Sequence, residues 1–297
     1  MGQQAVRVGV VDIGTNSMRL LIRDEDREYG RWVEVTGLGR GVDATGRLSE
    51  EAMERTVPVL RGFGEQMTAL GVERRSAVAT SATRDAANRE QFLDRAEKAL
   101  GFRPDVISGV EEGLLAFDGA TSDLLVSGPE MVTDIGGGST EFVMYDTVFS
   151  IDMGSVRLTD RMSKEYPLSD KAWEEAMEMA WSAFDEVRGV AIGTHIGVAG
   201  TWTSLAAIAQ ELARYDDARV HGYVLDELGL DRVVDMLCDM TLGEIEAIPS
   251  LDPKRAPVIR AGSIVAHAVM GVLDVEETVI SVRDTLDGLA LQLLDVT

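Results

Sequence analysis

The chain has 297 residues, 45% hydrophobic and 27% charged, enough for two hydrophobic cores and ordinary for a globular protein. Its 28 Lys+Arg against 51 Asp+Glu give a formal charge of −23, which disfavours a nucleic-acid polymer as partner, because such a binder needs a basic face. A single cysteine, Cys238, excludes an internal disulfide; Met1–Val10 lacks the pattern of a signal peptide and no run carries the roughly 20 unbroken apolar residues of a membrane span, so a cytoplasmic location with no membrane partner is expected.

In chain order, Val6, Val8 and Val10 open an apolar strand that ends in Asp12-Ile13-Gly14-Thr15-Asn16-Ser17, and a second apolar run, Met18–Ile22, follows. The reading is a β-hairpin with a small-residue turn. Trp32–Leu38 reads as a third strand. Ser49 starts a helical pattern through Leu70, with a kink expected at Pro58. Ala77–Thr80 is a short buried strand. Asn88 is expected to cap a helix Arg89–Leu100 that ends at Gly101. Val106–Ile107 is a strand, and a helix runs from Gly109 to about Ala120. Ser127-Gly128-Pro129 is turn chemistry and marks the expected domain boundary, giving domains 1–124 and 125–297.

The second half repeats the first. Met131 and Val132 lead into Val132-Thr133-Asp134-Ile135-Gly136-Gly137-Gly138-Ser139, and the apolar run Phe142–Tyr145 follows. Ser169 is expected to cap a long helix through Val187. Ile196–Ala199 is a strand, and Thr201 opens a helix. Asp252-Pro253 starts another helix through about Gly271. Thr278–Val282 is the last strand and Thr285–Leu294 the last helix. Strands feeding helices in both halves predict α/β layers.

The two turns carry the chemistry. Gly14 and Gly136, Gly137 and Gly138 lack side chains, so backbone N–H groups can approach an anion; Thr15, Asn16, Ser17, Ser139 and Thr140 add donors. Two such turns facing across a cleft would hold a phosphoryl group from both sides. Asp12 and Asp134 occupy the same place in each. A carboxylate beside phosphate calls for a cation, so one or both reach Mg²⁺ directly or through water, with Glu141 a third candidate or else a solvated strand residue. Ser108 and Glu111 form a capping box, which gives Glu111 a structural task. Glu112 then stands at a strand end as a candidate general base; two solvated glutamates are the competing reading. Ser81 and Arg84 follow the strand at Ala77–Thr80, and Gly200-Thr201 repeats that strand-to-helix form at an anion-attracting helix start. The three histidines are scattered, so a histidine metal site is not expected. Cys238 has no visible activating partner.

Together these motifs resemble the exopolyphosphatase/guanosine pentaphosphate phosphatase family. The residues that carry the likeness are VVDIGTNSMRLLI (10–22), GVDATGRLSEEAM (41–53), ATSATRDAAN (79–88), ISGVEEG (107–113), TDIGGGSTEF (133–142) and GVAGTWTSLAAI (197–208), in the family's order. The resemblance implies two related actin/Hsp70/sugar-kinase-like (ribonuclease H-like) domains around a cleft, the last helix free to pack back on the first domain. It also implies Mg²⁺-dependent orthophosphate release, admits a monovalent cation such as K⁺ and a homodimer, and puts the catalytic glutamate on Glu112, the phosphate loops on Asp12–Ser17 and Asp134–Thr140, and a loop arginine on Arg84. Polyphosphate is the expected substrate, with guanosine pentaphosphate the alternative, an ATP-dependent kinase a further rival, and a non-catalytic sensor of either polyanion the third. Two departures stand out. The chain resembles the short form that lacks the extra C-terminal domains of longer relatives, and Gly37 replaces a basic residue found in many relatives, with Arg40 nearby.

Overall fold

A computed structural model describes residues 6–124, 130–145 and 147–295, so the expected turn at Ser127-Gly128-Pro129 lies outside the described residues. The chain divides into two units: one runs up to Gly119 and takes back the residues from Thr285 on, and the other is Ala120–Asp284. The division therefore falls inside the helix Gly109–Thr121 rather than after residue 124.

The first unit is built on a five-stranded sheet of β1 (Val8–Ile13), β2 (Ser17–Arg23), β3 (Glu28–Val35), β4 (Arg74–Ala79) and β5 (Asp105–Val106), ordered β3-β2-β1-β4-β5. The hairpin β1–β2 is antiparallel, and β1 runs parallel to β4. Strand side chains alternate between faces, and the core divides accordingly. Val11, Ile13, Met18, Leu20 and Ile22 pack with Leu60, Phe63 and Phe92 from the helices Glu50–Ala69 and Arg89–Leu100. Val8, Val10, Leu21 and Val78 pack instead with Leu115 of the helix Gly109–Thr121 and with Leu286, Leu289 and Ala290 of the helix Thr285–Asp295. β1 is buried throughout because helices cover both faces of its sheet.

The second unit repeats this plan with β6 (Glu130–Ile135), β7 (Thr140–Met144), β8 (Thr147–Ile151), β9 (Thr194–Val198), β10 (Val224–Asp226) and β11 (Glu277–Ile280), ordered β10-β11-β9-β6-β7-β8. Again a hairpin is antiparallel (β6–β7), and its first strand runs parallel to the strand beyond a crossover (β9). The expectation of two related α/β domains is met. The helix Ala256–Leu273 has the length and apolar composition of a membrane span, but 83% of its most apolar window is buried inside the protein, so it serves as a core helix.

Several expectations change in detail. β3 starts at Glu28 rather than Trp32, and the helix Glu50–Ala69 runs through Pro58 without interruption. Asn88 does not cap the helix after it: its side chain accepts from Leu48 N and donates to Leu48 O, both at 2.9 Å, and so ties two loops together. Ser169 likewise makes no cap bond, because its hydroxyl donates to Glu165. The helix after it stops at Ala183, and a separate 3₁₀ turn covers Asp185–Val187. Thr201 lies inside rather than at the start of its helix, Ala199–Ala209. β10 and the helix Glu227–Asp239 were not anticipated as separate elements.

Candidate active site

In the first unit the β1–β2 turn closes with Gly14 N donating to Ser17 O at 3.1 Å. A Cβ on Gly14 would sit 2.9 Å from that carbonyl, so the turn needs glycine there. The next two carbonyls are held from behind: Gly39 N donates to Thr15 O at 2.8 Å, and Thr36 N and Gly37 N donate to Asn16 O at 3.0 and 2.9 Å. Thr15 Oγ1 accepts from Ala82 N in the short helix Ser81–Asp85 that follows β4. The N–H groups of Thr15 and Asn16 meet no acceptor among the described residues, although both residues are buried. Asn16 Oδ1, Ser81 Oγ and Thr83 Oγ1 are buried without a hydrogen-bond partner. Buried polar groups are seldom left in this state, which makes this end of the sheet a candidate ligand site.

Glu111 and Ser108 make the expected capping box: Ser108 N donates to Glu111 Oε2 at 2.8 Å and Glu111 N donates to Ser108 Oγ at 3.2 Å. The Ser108 backbone N–H, followed by its hydroxyl, holds the Glu111 carboxyl below its usual range. Glu112 points elsewhere and is only 8% exposed. Arg84 Nη1 donates to Glu112 Oε2 at 3.3 Å and to Ile107 O at 3.0 Å, which brings the predicted base and the predicted loop arginine together.

The second unit's turn follows the same design. Gly136 N donates to Ser139 O at 3.0 Å. The start of the helix Ser155–Arg161 binds the turn's carbonyls: Ser155 N donates to Gly136 O, and Val156 N and Arg157 N donate to Gly137 O, at 2.8–3.0 Å. Arg157 Nε donates to Gly138 O at 2.7 Å. A Cβ on Gly154 would lie 2.7 Å from the Gly137 carbonyl, so glycine permits this approach. The N–H groups of Gly137 and Gly138 meet no acceptor among the described residues. Two predicted donors are committed within the unit, Thr140 Oγ1 to Met153 O at 2.6 Å and Thr201 Oγ1 to Ile135 O at 3.0 Å. Ser139 is buried beside them, and Ser17 is the first residue of β2. Gly200 carries the Arg255 guanidinium against it, so close that a Cβ there would collide with Nη1.

The repeats differ in charge at the residue that faces the aspartate of each turn. Asp12 and Arg19 are register partners across β1–β2, and Arg19 donates from Nε and Nη2 to Asp12 Oδ2 at 2.8 and 2.6 Å. Asp134 and Glu141 are the corresponding partners across β6–β7, and they are 4% and 0% exposed. Ser150 Oγ donates to Glu141 Oε1 at 2.8 Å. Two buried carboxylates at facing positions fit a hard divalent cation that draws its remaining ligands from phosphate and water. Asp12, the other expected metal contact, pairs its Oδ2 with the Arg19 guanidinium, while its Oδ1 is buried and accepts no hydrogen bond among the described residues. Among the described residues no group of three or more His, Cys, Asp or Glu could form an all-protein cage.

Other titratable groups have structural tasks. Burial pushes the Cys238 thiol up to about 11, far from a reactive thiolate. His195 bridges Thr133 and Thr278, at 2.8 and 2.9 Å. The sequence reading missed Arg19, Gly154, Arg157 and Arg255. Arg19 was accessible through the repeat, since it stands where Glu141 stands in the second copy. The others carry no local motif.

Paired glycine turns with sequestered carbonyls and amides that meet no acceptor among the described residues suit a protein that handles phosphoryl groups. The chain belongs to the Ppx/GppA phosphatase family, whose model matches residues 31–296; it is a hydrolase of phosphoric anhydrides. It is 37% identical to exopolyphosphatase 2 of Mycobacterium tuberculosis over 97% of this chain and 98% of that protein. It is 28% identical to a guanosine-5'-triphosphate,3'-diphosphate pyrophosphatase of Vibrio atlanticus over 96% of this chain and 59% of that protein. A crystal structure of an exopolyphosphatase-like protein superposes with a TM-score of 0.93 at 35% identity, covering 97% of this chain and 99% of that one.

Proposed function

We propose that this chain is an exopolyphosphatase that releases orthophosphate from the end of inorganic polyphosphate. One observation carries the reading: each unit holds a glycine turn whose carbonyls are bonded from behind while two successive amides, of Thr15 and Asn16 in one and of Gly137 and Gly138 in the other, meet no acceptor among the described residues. The comparisons favour polyphosphate over a guanosine polyphosphate, because the exopolyphosphatase match spans almost all of that relative and the pyrophosphatase match little more than half.

In the first unit the amides of Thr15 and Asn16 bind phosphoryl oxygens, together with Ser81 and Arg84. In the second, the amides of Gly137 and Gly138 do so, on a turn shaped by Gly136, Ser139, Thr140, Gly200 and Thr201. Asp134 and Glu141 would hold Mg²⁺, which supplies charge neutralisation at phosphoryl oxygens when bound. Glu112 accepts a proton from water as the water oxygen bonds to the terminal phosphorus. The anhydride P–O bond breaks, and the shortened chain leaves as an anion. Arg84 holds Glu112 in place until an anion competes for its guanidinium.

The test is orthophosphate release from tripolyphosphate, long-chain polyphosphate and guanosine pentaphosphate, by wild type and Glu112→Gln. Polyphosphate turnover that falls by about 10²–10⁴ in a variant that still folds is the expected outcome. Turnover of the pentaphosphate alone would move the assignment to that substrate. Undiminished turnover in the variant would remove Glu112 as the base.

A further inference from the structure

An open groove of about 590 Å³ lies in the first unit between the helices Glu50–Ala69 and Arg89–Leu100, and Arg61, Arg75 and Lys98 line it with Glu65. All three cations are exposed, and none has a hydrogen-bond or ion-pair partner among the described residues. They stand together in a chain with 51 acidic residues for 28 basic ones. Two arginines on or just after the helix Arg89–Leu100 are tied instead: Arg95 to Glu50, and Arg103 to Glu90, Asp94 and Glu97. Here three positive charges face one carboxylate. The end of the helix Arg89–Leu100 draws cations through its carbonyls, which accounts for Lys98 in its last turn. Its capping bond is already made by Gly101 N to Glu97 O at 2.8 Å, and none of the three cations reaches a carbonyl.

The groove is separate from the phosphate turn. Arg75 is register partner to Gly9 near the start of β1, whereas the turn begins after Ile13, which faces Ala79. Four residues of strand separate the two positions, about 13 Å.

We propose that this groove is an exosite for inorganic polyphosphate, holding a distal stretch of the chain whose end is cut elsewhere; this rests on the polyphosphate reading above. A polymer with negative charge on every phosphoryl unit can engage three cations at once. A contact that is weak alone adds affinity for a ligand already held at its end, because the second binding event is intramolecular. A short substrate cannot reach both places, so the exosite acts only on long chains.

The test compares wild type with the triple variant Arg61→Gln/Arg75→Gln/Lys98→Gln, and with Arg232→Gln as a control cation in the second unit. The expected result is a KM for long-chain polyphosphate raised about tenfold at low salt with kcat unchanged, the size a modest gain in effective concentration gives. The KM for tripolyphosphate and the melting temperature stay unchanged. The salt dependence of log KM for long chains flattens by about 2, from roughly 0.7 per lost phosphate contact. Equal shifts for long and short chains, no shift for either, or a fall in melting temperature with no change for long chains would overturn the exosite. Fluorescence anisotropy of labelled long-chain polyphosphate reads the groove without turnover, so absence of hydrolysis would count against the proposed activity and unchanged binding in the variant against the exosite.

Discussion

Lowering the pH should weaken the second unit through one buried imidazole. His195 is enclosed by Thr133, Thr278 and the edge of Trp202. Trp202 Nε1 donates to Thr133 Oγ1 at 3.1 Å. The Thr133 hydroxyl can then donate a hydrogen bond to His195 Nε2, while Nδ1–H donates to Thr278 Oγ1, so the neutral ring satisfies its neighbours. Burial pushes the pKa of His195 down to about 3. In the unfolded chain it titrates near the ordinary value of about 6.5. Below that pH the unfolded state binds a proton that the native state refuses, so stability falls as pH drops towards 3. Well below pH 6.5 the slope approaches about 1.4 kcal/mol per pH unit, so the loss by pH 4.5 is on the order of 2 kcal/mol. The assay is urea unfolding followed by tryptophan fluorescence, which reports mainly this unit because Trp173, Trp181 and Trp202 lie in it and only Trp32 lies in the other. Carboxylates also titrate over this range, so wild type is compared with His195→Gln at each pH. The variant's deficit should shrink by about 2 kcal/mol from pH 7 to 4.5. A deficit that stays constant would mean that His195 is not held neutral, and the hydrogen-bond assignment would fail with it.

Two further expectations test packing and metal use. Gly288→Ala places a Cβ 2.0 Å from Leu115 O, a backbone atom that cannot swing aside; the first unit should lose about 1–3 kcal/mol, read as a lower midpoint in thermal or denaturant unfolding. Glu141→Gln should raise the Mg²⁺ concentration for half-maximal activity at least tenfold, about 1.4 kcal/mol, whereas Asp12→Asn should leave it nearly unchanged because Arg19 is the neighbour of that carboxylate.

Much of the site was legible because it is written twice. The paired Asp-Ile-Gly turns located both hairpins, and the Ser108–Glu111 spacing separated a capping glutamate from Glu112. Helices with strong apolar periodicity, such as Glu50–Ala69, were found to within a residue or so. The two misplaced caps share one cause: a polar side chain at a helix start has other partners within reach besides the helix's own amides. Asn88 chose the backbone of Leu48, 40 residues away, and Ser169 chose Glu165. Arg157 and Arg255 act on the turns through contacts that only folding creates, and no local pattern announces them.

The helix Thr285–Asp295 closes the face of β1 that carries Val8 and Val10, yet the ribosome makes it only after all of Ala120–Asp284. During synthesis the second unit, contiguous in sequence, can complete its core while Val8, Val10, Leu21 and Val78 still wait for Leu286, Leu289 and Ala290. That sheet face is thus completed only after the whole intervening unit has been made, which leaves it available to chaperones in the meantime.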